Sequence, residues 1–102
     1  MNERKKMLEK IISKFLRVQR RMRDLTQHEL ADMTGIKRPN YASYELHGRI
    51  SLDNFVLVMS ALNASYSDFD VYVKEWQKEI EDLEAKRKND EIMKRIMEDL
   101  EK

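Results

Sequence analysis

The sequence predicts an all-α fold, a five-helix domain followed by a helical appendage, and three observations carry that expectation. Apolar residues recur at three- and four-residue spacing along most of the 102 residues. Only two glycines and one proline interrupt the chain. The charged fraction, 38%, suits long solvent-exposed helices better than sheets, while the 41% hydrophobic content is enough for a small helical core. Two units are expected: residues 1–69 as the folded domain and residues 70–102 as the appendage.

The first helix is expected to carry Met7, Leu8, Ile11, Ile12, Phe15, Leu16, Met22 and Leu25 on its apolar side, with the opening NERKK (residues 2–6) frayed. Asp24, near the end of this stripe, is a residue that tolerates the left-handed conformation better than most. Thr26 and Glu29 have the spacing of a capping box, in which hydroxyl and carboxylate satisfy backbone N–H groups reciprocally, so the second helix starts there. Gly35 supplies the positive φ of a tight turn into the third helix, and Ala31 is small where the two helices cross.

After a short loop, LHGRI, Ser51 or Asp53 starts a fourth helix through Leu52, Phe55, Val56, Val58, Met59 and Leu62. Residues 63–65 read as a turn. Ser67 or Asp68 starts a further helix carrying Phe69, Val73, Trp76, Ile80 and Leu83 at spacings of four, three, four and three, a heptad seam. The seam then breaks, because its next positions are Arg87 and Asp90, and Met93, Ile96, Met97 and Leu100 resume it out of register. KRKND is therefore either a turn between two helices or a stutter in one long helix; a turn or kink near Asn89 is the favoured reading.

The stretch TQHELADMTGIKRPNYASYEL, residues 26–46, has the layout of a helix-turn-helix. It resembles the helix-turn-helix domains of the Cro/phage-repressor and xenobiotic-response-element (XRE) type. Gln27 opens the motif, Ala31 is its fifth residue and Gly35 its ninth, and Ile36, Tyr41 and Tyr44 fall where that family has its buried tenth, fifteenth and eighteenth residues. FLRVQRRMRDLTQ upstream resembles the family's first helix, and SLDNFVLVMSALNASYSDF downstream its fourth and fifth. The resemblance covers roughly residues 12–69 and implies a repressor-like domain with double-stranded DNA as its partner, while the apolar spacing extends the first helix upstream of it.

Carried over position by position, the resemblance puts Arg38, Pro39 and Ser43 on base-facing positions of the third helix, with Gln27, Lys37 and Asn40 on backbone-facing or supporting ones. An arginine fork donates two hydrogen bonds to guanine O6 and N7, so Arg38 is the leading candidate for base reading. Pro39 reads no hydrogen-bond edge and biases Arg38 away from helical geometry. If the helix begins at Pro39, Arg38 reaches a phosphate instead. Arg49 in the following loop is a candidate phosphate contact. Tyr41 and Tyr44 are expected in the core with their hydroxyls at the surface. Arg20 and Glu45 match positions that form an ion pair between the first and third helices in some relatives; the alternative is two unrelated surface charges.

Charge is divided unevenly. Residues 1–49 hold twelve Lys/Arg against six Asp/Glu, and residues 50–102 hold eight against thirteen, although the whole chain is only +1. The half with the motif has the sign needed to displace counterions from phosphate, and the acidic half is expected to point away from DNA. Without cysteine there are no disulfides or thiolate metal sites. No close cluster of His, Asp and Glu accompanies His28 and His47, so no metal and no cofactor are expected. No nucleophile motif or glycine-rich phosphate loop points to an enzyme. The absence of long apolar runs or a signal-peptide pattern leads to the expectation of a cytoplasmic protein without a membrane span.

Function is expected to be sequence-specific transcriptional regulation by a dimeric repressor, with Phe69, Val73, Trp76, Ile80 and Leu83 as the dimer or partner face. Two alternatives share the fold. One is an antitoxin whose residues 70–102 wrap a toxin; the other is a protein-interaction adaptor that does not read DNA.

Overall fold

Five helices and no strand make up residues 3–101, the part of the chain described by the computed structural model: α1 (Glu3–Met22), α2 (Gln27–Thr34), α3 (Arg38–His47), α4 (Leu52–Leu62) and α5 (Tyr66–Glu101). The fold is all-α, as the periodicity requires. Of the opening segment expected to fray, Asn2 lies outside the described residues, and residues 3–6 are already helical.

Most boundaries follow from local chemistry. At the end of α1, Asp24 takes φ 54°, and the Leu25 and Asp24 amides donate back to the Arg20 and Arg21 carbonyls at 3.2 and 3.0 Å. This is a Schellman-type stop with aspartate in the left-handed position that glycine usually fills. Thr26 and Glu29 close the capping box of α2 with two 3.0 Å hydrogen bonds. Gly35 (φ 73°) ends α2, and a side chain there would project into open space, so the conformation alone selects glycine.

The helix α3 begins at Arg38, one residue earlier than a start at Pro39. Lys37 is extended (φ −62°, ψ 136°), and Pro39 occupies the first turn, where its missing N–H would have no helical partner anyway. Ser51 caps α4 by accepting from the Asn54 amide at 3.2 Å. Asn63 (φ 51°) closes that helix in the left-handed conformation. Neither Ser67 nor Asp68 starts α5. Its cap is Ser65, whose amide donates to the Asp68 carboxylate at 2.8 Å while the Asp68 amide donates to the Ser65 hydroxyl at 3.3 Å.

The core is built on Phe15 and Leu16 of α1, Leu30 and Ala31 of α2, Tyr41 of α3, and Phe55, Val58, Met59 and Leu62 of α4. Phe15 meets Phe69 and Tyr72 of α5 edge-on, with ring centroids 5.0 and 5.3 Å apart, and Phe55 meets Phe69 at 5.1 Å. Several apolar residues of the expected stripes stay outside this cluster: Met22, Leu52 and Val56 are exposed. Tyr41 is completely buried, hydroxyl included, which corrects the expectation of a surface-reaching phenol. The Tyr44 hydroxyl accepts from Asn54 Nδ2 at 2.9 Å.

Two expectations for the C-terminal half are corrected. KRKND forms neither a turn nor a break, because α5 is a single helix of 36 residues. It holds no glycine or proline, and opposite charges stand four apart (Lys86 and Asp90, Arg87 and Glu91), an arrangement that supports an exposed helix. The boundary between residues 69 and 70 falls inside this helix. The face carrying Phe69, Val73, Trp76 and Ile80 is also not a free surface. All four are half-buried within the chain, α5 packs along α1, and of the five only Leu83 is exposed. Met7, Ile11 and Lys14 of α1 share a cleft with Tyr72 and Trp76, and ion pairs from Arg4 to Glu84 and from Arg87 to Glu3 (2.5 Å) close its outer end. Beyond Arg87 the helix continues unaccompanied for about 20 Å.

Candidate nucleic-acid interface

The geometry of α2 and α3 is set by a buried polar link. Arg20 at the end of α1 holds Glu45 near the end of α3 through two bonds, Nε to Oε2 at 2.6 Å and Nη2 to Oε1 at 3.0 Å. Its remaining nitrogen, Nη1, donates to the Leu25 carbonyl at 2.7 Å. Gln27, the first residue of α2, donates to Glu45 Oε1 at 3.1 Å. One carboxylate therefore fixes the end of α1, the start of α2 and the end of α3 against each other. Both members of the pair are buried, with side-chain exposures of 10% and 4%, so Arg20 and Glu45 are not unrelated surface charges.

The electrostatics of this link are mutually supporting. The hydrogen bonds to Glu45 raise the Arg20 pKa above its ordinary value despite burial. Burial alone would raise Glu45, but the hydrogen bonds from Arg20 and Gln27, together with the Arg20 charge, outweigh it and hold the carboxyl below the ordinary range. The Tyr41 phenol is pushed far up, by burial first and by the adjacent carboxylate second, and so stays neutral. Ser13 adds a further tie, donating from its hydroxyl to the Glu45 carbonyl.

On this frame the start of α3 is presented outward. Lys37, Arg38, Pro39, Asn40 and Ser43 are all exposed. Arg38 and Pro39 line an open groove with Thr26, Gln27, His28 and Ala42, so the first turns of α2 and α3 face the same space. Gln27 and His28, as the first residues of α2, carry backbone N–H groups without helical partners. Arg38 stands 3.8 Å from Asp32, which also pairs with His28 at 3.1 Å. These exposed contacts are weak, and a ligand anion can displace them. His28 and Ala42 were not among the residues singled out from sequence. Ala42 stands four residues after Arg38, and that spacing was the available signal.

Arg49 lies elsewhere. It follows the opposite end of α3 and pairs with Glu9 of α1 at 2.6 Å. The structure thus brings Gln27, Arg38 and Pro39 to one groove, keeps Lys37, Asn40 and Ser43 on the exposed part of α3 and its cap, and sets Arg49 apart. Gly48 was also overlooked. It ends α3 with φ 67°, is buried, and lies so close to α1 that a Cβ would fall on the Glu9 carbonyl group. Among the described residues no group of three or more His, Asp or Glu is placed to hold a metal ion, and no helix is long and apolar enough to cross a membrane.

Two helices locked at a glycine turn, the second with its first residues exposed, define a helix-turn-helix. Residues 16–69, more than half of the chain, match the helix-turn-helix family. The protein belongs to the Cro/phage-repressor, XRE-type branch of that family, whose domains bind DNA in transcriptional regulation. No curated protein and no solved structure matches the chain.

Proposed function

We propose that this protein is a sequence-specific, dimeric transcriptional repressor of the cytoplasm that reads the DNA major groove with α3. The observation that carries the reading is the Arg20–Glu45–Gln27 link, which fixes α3 with Arg38, Pro39 and Ser43 exposed. Arg38 is the base-reading residue. Lys37 and Asn40, with the α2 start at Gln27, serve the phosphate backbone, while Arg49 stays paired with Glu9 beside α1.

Selecting duplexes retained by the purified protein at moderate salt tests the reading. Arg38→Ala should then weaken binding by about 1 to 3 kcal/mol and relax preference at one base pair, while Lys37→Ala should weaken all sequences alike. Full affinity and selectivity in the arginine variant would remove Arg38 from the readout. A wild-type chain with no preference among duplexes would favour the adaptor instead.

The dimer contact in this reading moves from the residues covered by α1 to the free end of the appendage, residues 83–101. Leu83, Ile92, Met93, Ile96, Met97 and Leu100 are exposed there. A second copy fits this arm because basic pairs 86–87 and 94–95 alternate with acidic pairs 90–91 and 98–99. An antiparallel copy centred between residues 92 and 93 sets each pair against its opposite. Two reading helices would then address two-fold-related half-sites separated by whole turns of DNA. Met93→Glu with Ile96→Glu should leave the helical signal intact and reduce the mass seen by light scattering to that of one chain, with much weaker retention of the selected duplex. A full-length chain that is already monomeric at micromolar concentration would overturn the dimer. It would favour the antitoxin reading, in which the same stripe covers a partner protein.

A further inference from the structure

The outward face of α1 is basic along most of its length. Lys6, Lys10, Lys14, Arg17 and Arg21 follow one another at spacings of four, four, three and four residues, which places them on one face of the helix. Lys6, Lys10, Lys14 and Arg21 are exposed and Arg17 is half-buried. Among the described residues none of the five takes part in an ion pair. The nearest carboxylate in the sequence, Glu9, is engaged by Arg49 at 2.6 Å and is only 15% exposed.

This row runs beside α3. Lys6, Lys10, Lys14 and Arg17 border an open groove with Leu46 and His47 at the end of α3, and one turn further on Arg20 borders the groove of Arg38 and Pro39 at its beginning. The first three lysines precede residue 16, where the family match begins, so they belong to the extension of α1 and not to the shared domain. Lys10 and Lys14 also border the α1–α5 cleft with Glu75 and Glu79, but among the described residues no carboxylate pairs with them, and unpaired cations held in a line on a rigid element fit a linear polyanion. Successive lysines are about 6 Å apart along the helix axis, and phosphates of one strand recur about every 3.4 Å along a duplex. Flexible lysine stems can therefore engage alternate phosphates.

We infer that Lys6, Lys10 and Lys14 form a second phosphate track, which holds a DNA backbone strand alongside the groove that α3 enters. The inference rests on the DNA-reading function proposed above. The track supplies affinity without sequence preference, because point charges on phosphates carry no base information. It gives a chain of nearly neutral total charge the local field that its composition conceals.

Titrating the selected duplex and a scrambled duplex over a series of salt concentrations tests the track. The triple variant Lys6→Gln, Lys10→Gln, Lys14→Gln should make the dependence of log affinity on log salt shallower by about 2.7, three phosphates at about 0.9 each. It should weaken both duplexes by the same factor and so leave their ratio as in wild type. The charge-retaining triple Lys→Arg variant should keep the wild-type slope, which separates loss of charge from loss of fold. Arg38→Ala should do the reverse of the glutamine triple, changing the ratio with a slope change of at most about one. A wild-type slope in the glutamine triple, with site preference intact, would overturn the track and leave the reading function standing. A changed molar mass at an unchanged slope would also overturn it, assigning the row to an acidic segment of another copy. Absence of salt-dependent retention of any duplex by the wild-type chain would remove both.

Discussion

Replacing Gly48 by alanine should unfold a large fraction of the molecules at temperatures where the wild type is intact. Two independent costs coincide at this position. The backbone sits at φ 67°, where an L side chain is strained. The added methyl would also occupy the space of the Glu9 carbonyl, a backbone group that cannot swing aside as a side chain would. Strain and overpacking together come to roughly 3 kcal/mol or more, which for a domain of this size lowers Tm by roughly 12 °C or more. Gly35 provides the control. Its φ of 73° is similar, but nothing lies within 4 Å of a Cβ there, so Gly35→Val should cost only the conformational part, about 1 to 3 kcal/mol. Thermal melts of both variants check this. Equal losses would mean that α1 yields to the methyl at Gly48, and an unchanged melt for Gly35→Val would mean that the turn is not held left-handed.

Removing the Glu45 carboxylate should have an effect of similar size by a different route. Glu45→Ala strands the Arg20 guanidinium in a buried site and deprives Gln27 of its acceptor. Loss of one member of a buried pair costs roughly 3 to 5 kcal/mol. The pH dependence gives the sharper test. Glu45 titrates below its ordinary value of 4.5 in the folded chain. Its contribution is therefore complete above about pH 4.5 and is lost as the pH falls through the folded value. Glu29 and Asp68, both depressed through their capping hydrogen bonds, act in the same direction. Glu45→Gln should flatten the acid limb of stability relative to wild type while leaving the part due to the caps. Parallel acid limbs in denaturant titrations of the two proteins would show that the carboxylate is not coupled to folding.

The parts of this molecule that could be read from sequence are those decided within a few residues. Thr26 with Glu29, Gly35 and Asp24 each satisfy a local requirement of hydrogen bonding or backbone conformation, and the helix ends lie where those requirements place them. Long-range facts were less legible. The seam from Phe69 to Ile80 announces that one face of α5 is covered, but periodicity does not say by what; the cover is α1, whose extension carries Met7 and Ile11. Gly48 looked like an ordinary loop residue because its constraint comes from Glu9, about forty positions away. Arg49 is drawn to the same residue for the same reason. The continuity of α5 through KRKND was missed because a broken apolar stripe resembles a turn, although a helix that nothing covers needs no stripe. Gln27 and Arg38 stood out through motif spacing, whereas His28 and Ala42, which border the same groove, carry no chemical signal of their own.

The unaccompanied end of α5 also changes how the molecule moves through a solvent or a gel. The chain measures 67 × 25 × 22 Å with a radius of gyration of 19.0 Å, against about 13 Å for a compact chain of this length. A rod-like body of this kind diffuses more slowly and is excluded from more pores than a sphere of equal mass. A single copy should therefore leave a sizing column in the position of a considerably heavier globular protein. Elution volume would report two chains where there is one, so the number of copies has to come from scattering or sedimentation equilibrium, which weigh the particle without regard to its shape.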